Sequence, residues 1–173
     1  DSIRPAAEGK HIELTFEYEA SDIVIGADVE RLRQIFLNLL SDAVKFTPEF
    51  GHVRVNIRRA GSNVEIVVSD DGLGIAQEFL PYVFERFRQA DNTYTRRAGG
   101  LGLGLAIVRH LVELHGGSVR AESDGQGKGT DIYVWFRIAP AENPGENELY
   151  MTAKPIAVCA AHDAVRGARV LVA

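Results

Sequence analysis

Gly99-Gly100-Leu101-Gly102-Leu103-Gly104-Leu105 is the stretch on which the reading of this chain turns. Glycines at alternate positions run straight into an apolar helical pattern, Leu105 to His115, which Gly116-Gly117 stops. Each glycine costs up to about 1 kcal/mol against alanine in a helical context, so packing does not justify them. Successive N–H groups at a helix start form an anion nest, and the helix dipole adds positive potential. The loop lacks the lysine-serine or lysine-threonine ending of a P-loop, and Lys128-Gly129-Thr130 does not supply one at the correct spacing. The stretch predicts a phosphate cradle of another architecture.

Eleven of the 17 glycines lie between Gly72 and Gly129, so function is sought there. Upstream in that segment, Ser69-Asp70-Asp71-Gly72-Leu73-Gly74-Ile75 follows directly on a strand. A carboxylate at a strand end, then two glycines, can accept the exocyclic amine of a base while backbone packs close to the ring. A strand-to-helix turn with an Asx cap reads equally well. The dinucleotide fingerprint fails, because Gln77 stands where its last glycine belongs. Between the glycine loops lies Pro81-Tyr82-Val83-Phe84-Glu85-Arg86-Phe87-Arg88, followed by a polar stretch with Arg96 and Arg97. The aromatic group suits a satellite core, and the polar stretch suits a mobile cover over phosphates.

Working outward, His11 to Glu19 alternates as a half-buried strand. Asp28 is placed to cap a helix whose apolar stripe is Leu32, Ile35, Phe36, Leu39, Leu40, Ala43 and Val44, ended by Pro48. Gln34, Asn38, Asp42 and Lys45 share the opposite face. That row could hold Mg²⁺ and phosphate oxygens together, or be the solvated side of an amphipathic helix. Val53, Val55, Ile57 and Val64, Ile66, Val68 form two strands joined around Gly61-Ser62, a hairpin signal. Val119 to Glu122 and Ile132 to Ile138 read as two more. The pattern predicts an α+β fold: a two-layer α/β sandwich whose mixed, mostly antiparallel sheet is covered on one face by about three helices.

Composition narrows the classes. The 173 residues are 46% hydrophobic and 25% charged, which is ordinary globular composition. A net charge of −5 disfavours a nucleic-acid surface. The one cysteine, Cys159, can make no internal disulfide and points to a reducing compartment, so a cytoplasmic setting is expected. The five histidines lack zinc-ligand spacing, and no hydrolytic triad assembles. No apolar run approaches a membrane span. The sole methionine is Met151, so a piece of a longer protein is expected. Residues 1–139 are read as one domain and 140–173 as linker and tail, Arg169 to Ala173 resembling the first strand of a truncated receiver domain.

Taken in order, four blocks resemble the ATP-binding catalytic domain of sensor histidine kinases, a branch of the GHKL ATPases with the Bergerat fold. Asn38-Leu39-Leu40-Ser41-Asp42-Ala43-Val44-Lys45-Phe46-Thr47 resembles the N box, and Asp70 to Ile75 the G1 box. Phe84-Glu85-Arg86-Phe87 resembles the F box, Gly100 to Leu105 the G2 box, and Gly129-Thr130 the last glycine motif. The resemblance implies an ATP pocket under a flexible lid and transfer of the γ-phosphate to a histidine. Asp70 would accept the adenine amino group, with Gly72, Gly74, Ile75, Phe46 and Thr130 around the base. Asn38 would ligate Mg²⁺ together with Asp42, and Lys45 would neutralise phosphate charge. Gly100, Leu101, Gly102, Leu103, Gly104 and Leu105 would cradle the triphosphate. Arg96 and Arg97 would sit in the lid, with Phe84 and Phe87 at its hinge.

Asp42 departs from the family pattern, which usually has asparagine there; without metal a carboxylate repels phosphate. The topoisomerase, mismatch-repair and chaperone members, which hydrolyse ATP as clamps, place a glutamate where this chain has Asn38. Asparagine cannot act as general base, which disfavours that alternative. A catalytically weak nucleotide-binding regulatory module is the other. The acceptor histidine is missing, since none of the five histidines lies in the family's acceptor context. A dimerisation and acceptor hairpin upstream, and a response-regulator receiver downstream, are the implied partners.

Overall fold

The computed structural model describes residues 3–19, 23, 25–88 and 102–139. Arg96, Arg97, Gly100 and Leu101, the expected lid, and the linker and tail 140–173 all lie outside the described residues.

The Asp28 carboxylate accepts hydrogen bonds from the N–H groups of Glu30 (2.9 Å) and Arg31 (3.1 Å). These are two of the donors that a helix start otherwise leaves unpaired. Helix α2 (Val29–Phe46) follows, and its buried residues are the seven of the apolar stripe. Thr47 is extended (φ −80°, ψ 134°), as a residue before proline must be, and the helix stops there. The carbonyls at this end are all engaged. Ala43 accepts from the Thr47 hydroxyl, and Phe46 from Leu73 N–H at 3.1 Å. Lys10 Nζ donates to the carbonyls of Val44 (2.9 Å), Lys45 (2.8 Å) and Thr47 (2.8 Å). Lys10 follows a short helix, α1 (Arg4–Gly9), with proline in its first turn.

Five strands form one sheet in the order β1-β2-β3-β5-β4. They are β1 (Glu13–Tyr18), β2 (His52–Ala60), β3 (Asn63–Asp70), β4 (Ser118–Glu122) and β5 (Thr130–Arg137). Strand β1 runs parallel to β2, with α2 as the crossover, and the other pairings are antiparallel. The β2–β3 hairpin closes at Ala60↔Asn63, where Gly61 supplies a φ of +64°. Alternate residues Val53, Val55, Ile57, Val64, Ile66, Val68, Ile132, Val134 and Phe136 are buried under α2 and α3 (Gly104–Leu114). Truncating a fully buried side chain on the helix side of this core, such as Leu40→Ala, costs about 2–5 kcal/mol. His115 joins the two helices: its Nδ1 lies 2.7 Å from Leu111 O, and its Nε2 accepts from Asp28 N–H at 3.1 Å.

The other sheet face carries no helix among the described residues. Glu65 is buried there, because its register partners Arg58 and Trp135 close over it. Arg58 Nε donates to Glu65 Oε1 (2.6 Å) and Trp135 Nε1 to Oε2 (2.8 Å), so the buried charge is fully paired. Among the described residues, no helix is long and apolar enough to cross a membrane.

Candidate nucleotide site

Strand β3 delivers Asp70 on the same side as Val64, Ile66 and Val68, towards the helices, and pairs it with Thr130 at the start of β5. Burial pushes the Asp70 carboxyl up to about 6, against hydrogen bonds from the Gly72 and Thr130 N–H groups. Its neighbour Asp71 points the other way and behaves oppositely. Burial would raise its pKa too, yet the His52 N–H and imidazole, both at 2.8 Å, hold it below the usual carboxylate range. Adjacent carboxylates thus receive different electrostatic characters from their surroundings.

The base loop is pressed against two neighbours. On the α2 side, Leu73 N–H bonds Phe46 O, and a Cβ on Gly72 would lie 2.5 Å from that oxygen. On the other side, Gly74 has a φ of +64°, and a Cβ there would collide with the carbonyl of Gly125 in the β4–β5 loop. Gly129 N–H donates to Gly72 O at 3.2 Å and Gly127 N–H to Leu73 O at 2.6 Å. Ile75 N–H donates to Ser123 Oγ at 2.9 Å.

At the other end, α2 brings Asn38, Asp42 and Lys45 towards the start of α3. A Cβ on Gly104 would lie 2.9 Å from Asp42 Oδ2, so only glycine lets helix and carboxylate approach this closely. Asp42 is half-buried; burial raises its carboxyl and the Lys45 charge opposes the rise. Asn38 Nδ2 is buried with no hydrogen-bond partner among the described residues. Lys45 Nζ sits 4.8 Å from the centre of the Phe46 ring. Gln34 lies a turn earlier, half-buried like the other three, and accepts from Arg31 at 3.4 Å. Helix α3 begins at Leu103 without a side-chain cap, unlike α2. Gly102, at φ +66°, packs against the Arg88 backbone, and Leu105 is half-buried beside the core.

Phe84 is half-buried, whereas Phe87 is 74% exposed at φ +61°, with its N–H on Gly102 O at 3.1 Å. Phe87 therefore belongs to no satellite core; it meets the phosphate loop through its backbone. Lys10 and Ser123 gave no sequence signal of their role. The α2 carbonyls bonded by Lys10, and the Ile75 N–H bonded by Ser123, lie 34 to 48 residues away, and a lone lysine or a serine before a glycine turn is commonplace.

An open sheet with helices on one face, and two glycine loops meeting a polar helix face at its end, defines a nucleotide-binding α+β domain. Residues 27–140 match the family of histidine kinase-, DNA gyrase B-, and HSP90-like ATPases. The circadian input-output histidine kinase CikA of Synechococcus elongatus is 46% identical over 113 residues, 65% of this chain and 15% of CikA. The mycobacterial sensor histidine kinase MprB superposes with a TM-score of 0.69 at 30% identity, covering 79% of this chain and 90% of that one. Full-length ShkA in complex with AMPPNP superposes with a TM-score of 0.69 at 36% identity, over 83% of this chain and 29% of that one. The chain thus spans under a third of the length of these longer relatives. It belongs to the histidine kinase-, DNA gyrase B- and HSP90-like ATPases, as a catalytic domain of the sensor histidine kinase type.

Proposed function

We propose that this domain, residues 1–139, binds ATP with Mg²⁺ and presents the γ-phosphate to a histidine on a separate dimerisation and acceptor domain. The observation that carries the reading is the Asn38 amide nitrogen, buried and without a hydrogen-bond partner among the described residues, one helical turn from Asp42, which abuts the glycine start of α3. A buried donor without a partner costs about 1–3 kcal/mol, which a ligand recovers. The amide and carboxylate oxygens of Asn38 and Asp42 suit a hard, oxygen-seeking cation; Mg²⁺ held there offsets the charge of the phosphate oxygens.

The roles divide along the site. The Asp70 carboxylate accepts the adenine amino group; Gly72, Gly74, Ile75, Phe46 and Thr130 frame the ring. The Gly100 to Leu105 backbone, with its uncapped helix start, takes the phosphates, assisted by Lys45 and by Arg96 and Arg97. Phe84 and Phe87 bracket the lid's base. The acceptor imidazole supplies its lone pair to γ-phosphorus as the bond to the bridging oxygen breaks and ADP leaves. Such transfer rests on positioning and charge stabilisation. Asn38 cannot deprotonate water, so the bound nucleotide waits for an imidazole that needs no base. The complex of ShkA with AMPPNP supports a nucleotide in this pocket. The partners are that acceptor domain and a downstream receiver, with no nucleic acid, and the setting is the cytoplasm, where ATP is supplied. Residues 140–173 act as linker and tail leading towards a receiver.

The test is radiolabelled ATP with an acceptor domain added in trans. Acid-labile, alkali-stable label on that domain is expected. Steady phosphate release without acceptor would overturn the reading in favour of a hydrolytic clamp.

A further inference from the structure

The β4–β5 loop, Ser123 to Gly129, is assigned no role by the reading above beyond its last glycine. Yet it makes more bonds to the base loop than any other segment does. Ser123 is the hub. A hydroxyl has one proton to give and two lone pairs, and all three are used. Its proton goes to Gly129 O at 2.6 Å, the residue before Thr130. Its lone pairs take Ile75 N–H at 2.9 Å and Gly125 N–H at 3.3 Å. Its backbone carbonyl accepts from Gln77 Nε2 at 2.6 Å. One residue therefore joins the far end of the base loop, Ile75 and Gln77, to the strand start that carries Thr130. A cavity of about 230 Å³ is walled by Asp70, Ser123, Lys128, Gly129 and Thr130, with the acidic residues Glu122, Asp124 and Asp131, so the hub stands at the edge of a space beside Asp70.

We propose that Ser123 is a positioning residue for base recognition: its hydroxyl locks the base loop to the β4–β5 loop and so sets the distance between Asp70, Ile75 and Thr130. The inference rests on the nucleotide reading of this site. Among the described residues Ser123 makes no hydrogen bond to the phosphate end, so its influence is expected at the base. Adenine offers an amino group to Asp70, where guanine offers a carbonyl that a carboxylate repels. Discrimination between them depends on a fixed ring position, whereas charge attraction to the triphosphate does not.

The experiment measures binding of ATP, GTP and inorganic tripolyphosphate to the full chain by calorimetry in the presence of Mg²⁺. Ser123→Ala strands two partly buried N–H groups, of Ile75 and Gly125, and the Gly129 carbonyl. ATP affinity is expected to fall about tenfold, and the ATP-to-GTP ratio with it, while tripolyphosphate binding holds. Ser123→Thr, which keeps the hydroxyl, restores the ratio. Gln77→Ala, a change at an exposed side chain that leaves folding intact, lowers the ratio a few-fold and keeps the test available if Ser123→Ala does not fold. Equal loss for ATP and tripolyphosphate, or an unchanged ratio in Gln77→Ala, overturns the proposal. Absence of ATP binding by the unmodified chain overturns the nucleotide reading itself, and this inference with it.

Discussion

The two glycine loops of this domain are built on opposite plans. The base loop, Gly72 to Ile75, is held from both sides: Phe46 O on one, and Ser123, Gly125, Gly127 and Gly129 on the other. The phosphate loop ends in a helix whose first turn has no side-chain cap, though α2, its packing neighbour, is capped twice by Asp28. Glycine serves rigidity in the first loop and access in the second. A flat heterocycle is recognised by shape and needs fixed walls; a charged, flexible triphosphate needs open N–H groups.

Gly74→Ala is the sharpest way to break this contrast. The new methyl meets the Gly125 carbonyl on a residue already at positive φ, so the two loops must part. A loss of at least about 3 kcal/mol in stability is expected, with ATP binding abolished, read by thermal melting and calorimetry. ATP affinity retained within threefold would show that the loops do not need to touch.

Asp70→Asn separates the cost of the base end from its use. In the folded state Asp70 titrates at about 6 rather than 3.8, so between those values the folded protein holds a proton that the unfolded chain has lost. Stability contributed by this site therefore declines as pH rises from about 4 to 6 and stays low above. The full cost approaches 3 kcal/mol. The variant is expected to melt higher at pH 7.5 and to bind ATP about a hundredfold more weakly. The unmodified protein should lose ATP affinity as pH falls through about 6. Pairing an unaltered melt with an unaltered pH profile would contradict this placement of Asp70.

Gly104→Ala probes the open end. Alanine favours the first turn of α3 but puts a methyl 2.9 Å from Asp42 Oδ2, at the proposed phosphate end. Melting is expected to hold or rise while ATP affinity falls about tenfold. A parallel loss of both would make this glycine structural, like Gly74. The smallest effect belongs to Asp42→Asn. Removing a half-buried carboxylate from beside the phosphates should tighten ATP binding several-fold in EDTA and little in Mg²⁺. Equal affinities in EDTA for both proteins would remove Asp42 from the phosphate end.

What the sequence disclosed, and what it withheld, follows range. Helix α2 was legible to the residue, since its stripe and its Asp28 cap are local patterns. Both strands of the β2–β3 hairpin were as clear, joined by a two-residue turn. The parallel pairing of β1 with β2 was not, because alternation reports which face is buried and is silent on strand direction. Helix α1, at six residues, is too short to show a period. At the site, Asp70, Gly74 and Asn38 were singled out by residue type in context. The clasp around them depends on Ser123 and Lys10, whose bonds to Ile75 and to the end of α2 span 34 to 48 residues and leave no mark on local pattern. Phe87 is the reverse case: of its two readings, satellite core and lid hinge, its exposed ring removes the first, and its N–H bonds Gly102 O.

The Lys10 ammonium has a mechanical consequence. Three charge-assisted bonds rivet it to the carbonyls of Val44, Lys45 and Thr47, next to the Phe46 carbonyl on which Leu73 hangs. Through that rivet α1 is bonded to the last turn of α2, one residue from the carbonyl that holds the Gly72 to Ile75 loop. The short first helix and the Leu73 loop thus hang from neighbouring carbonyls of one helix end.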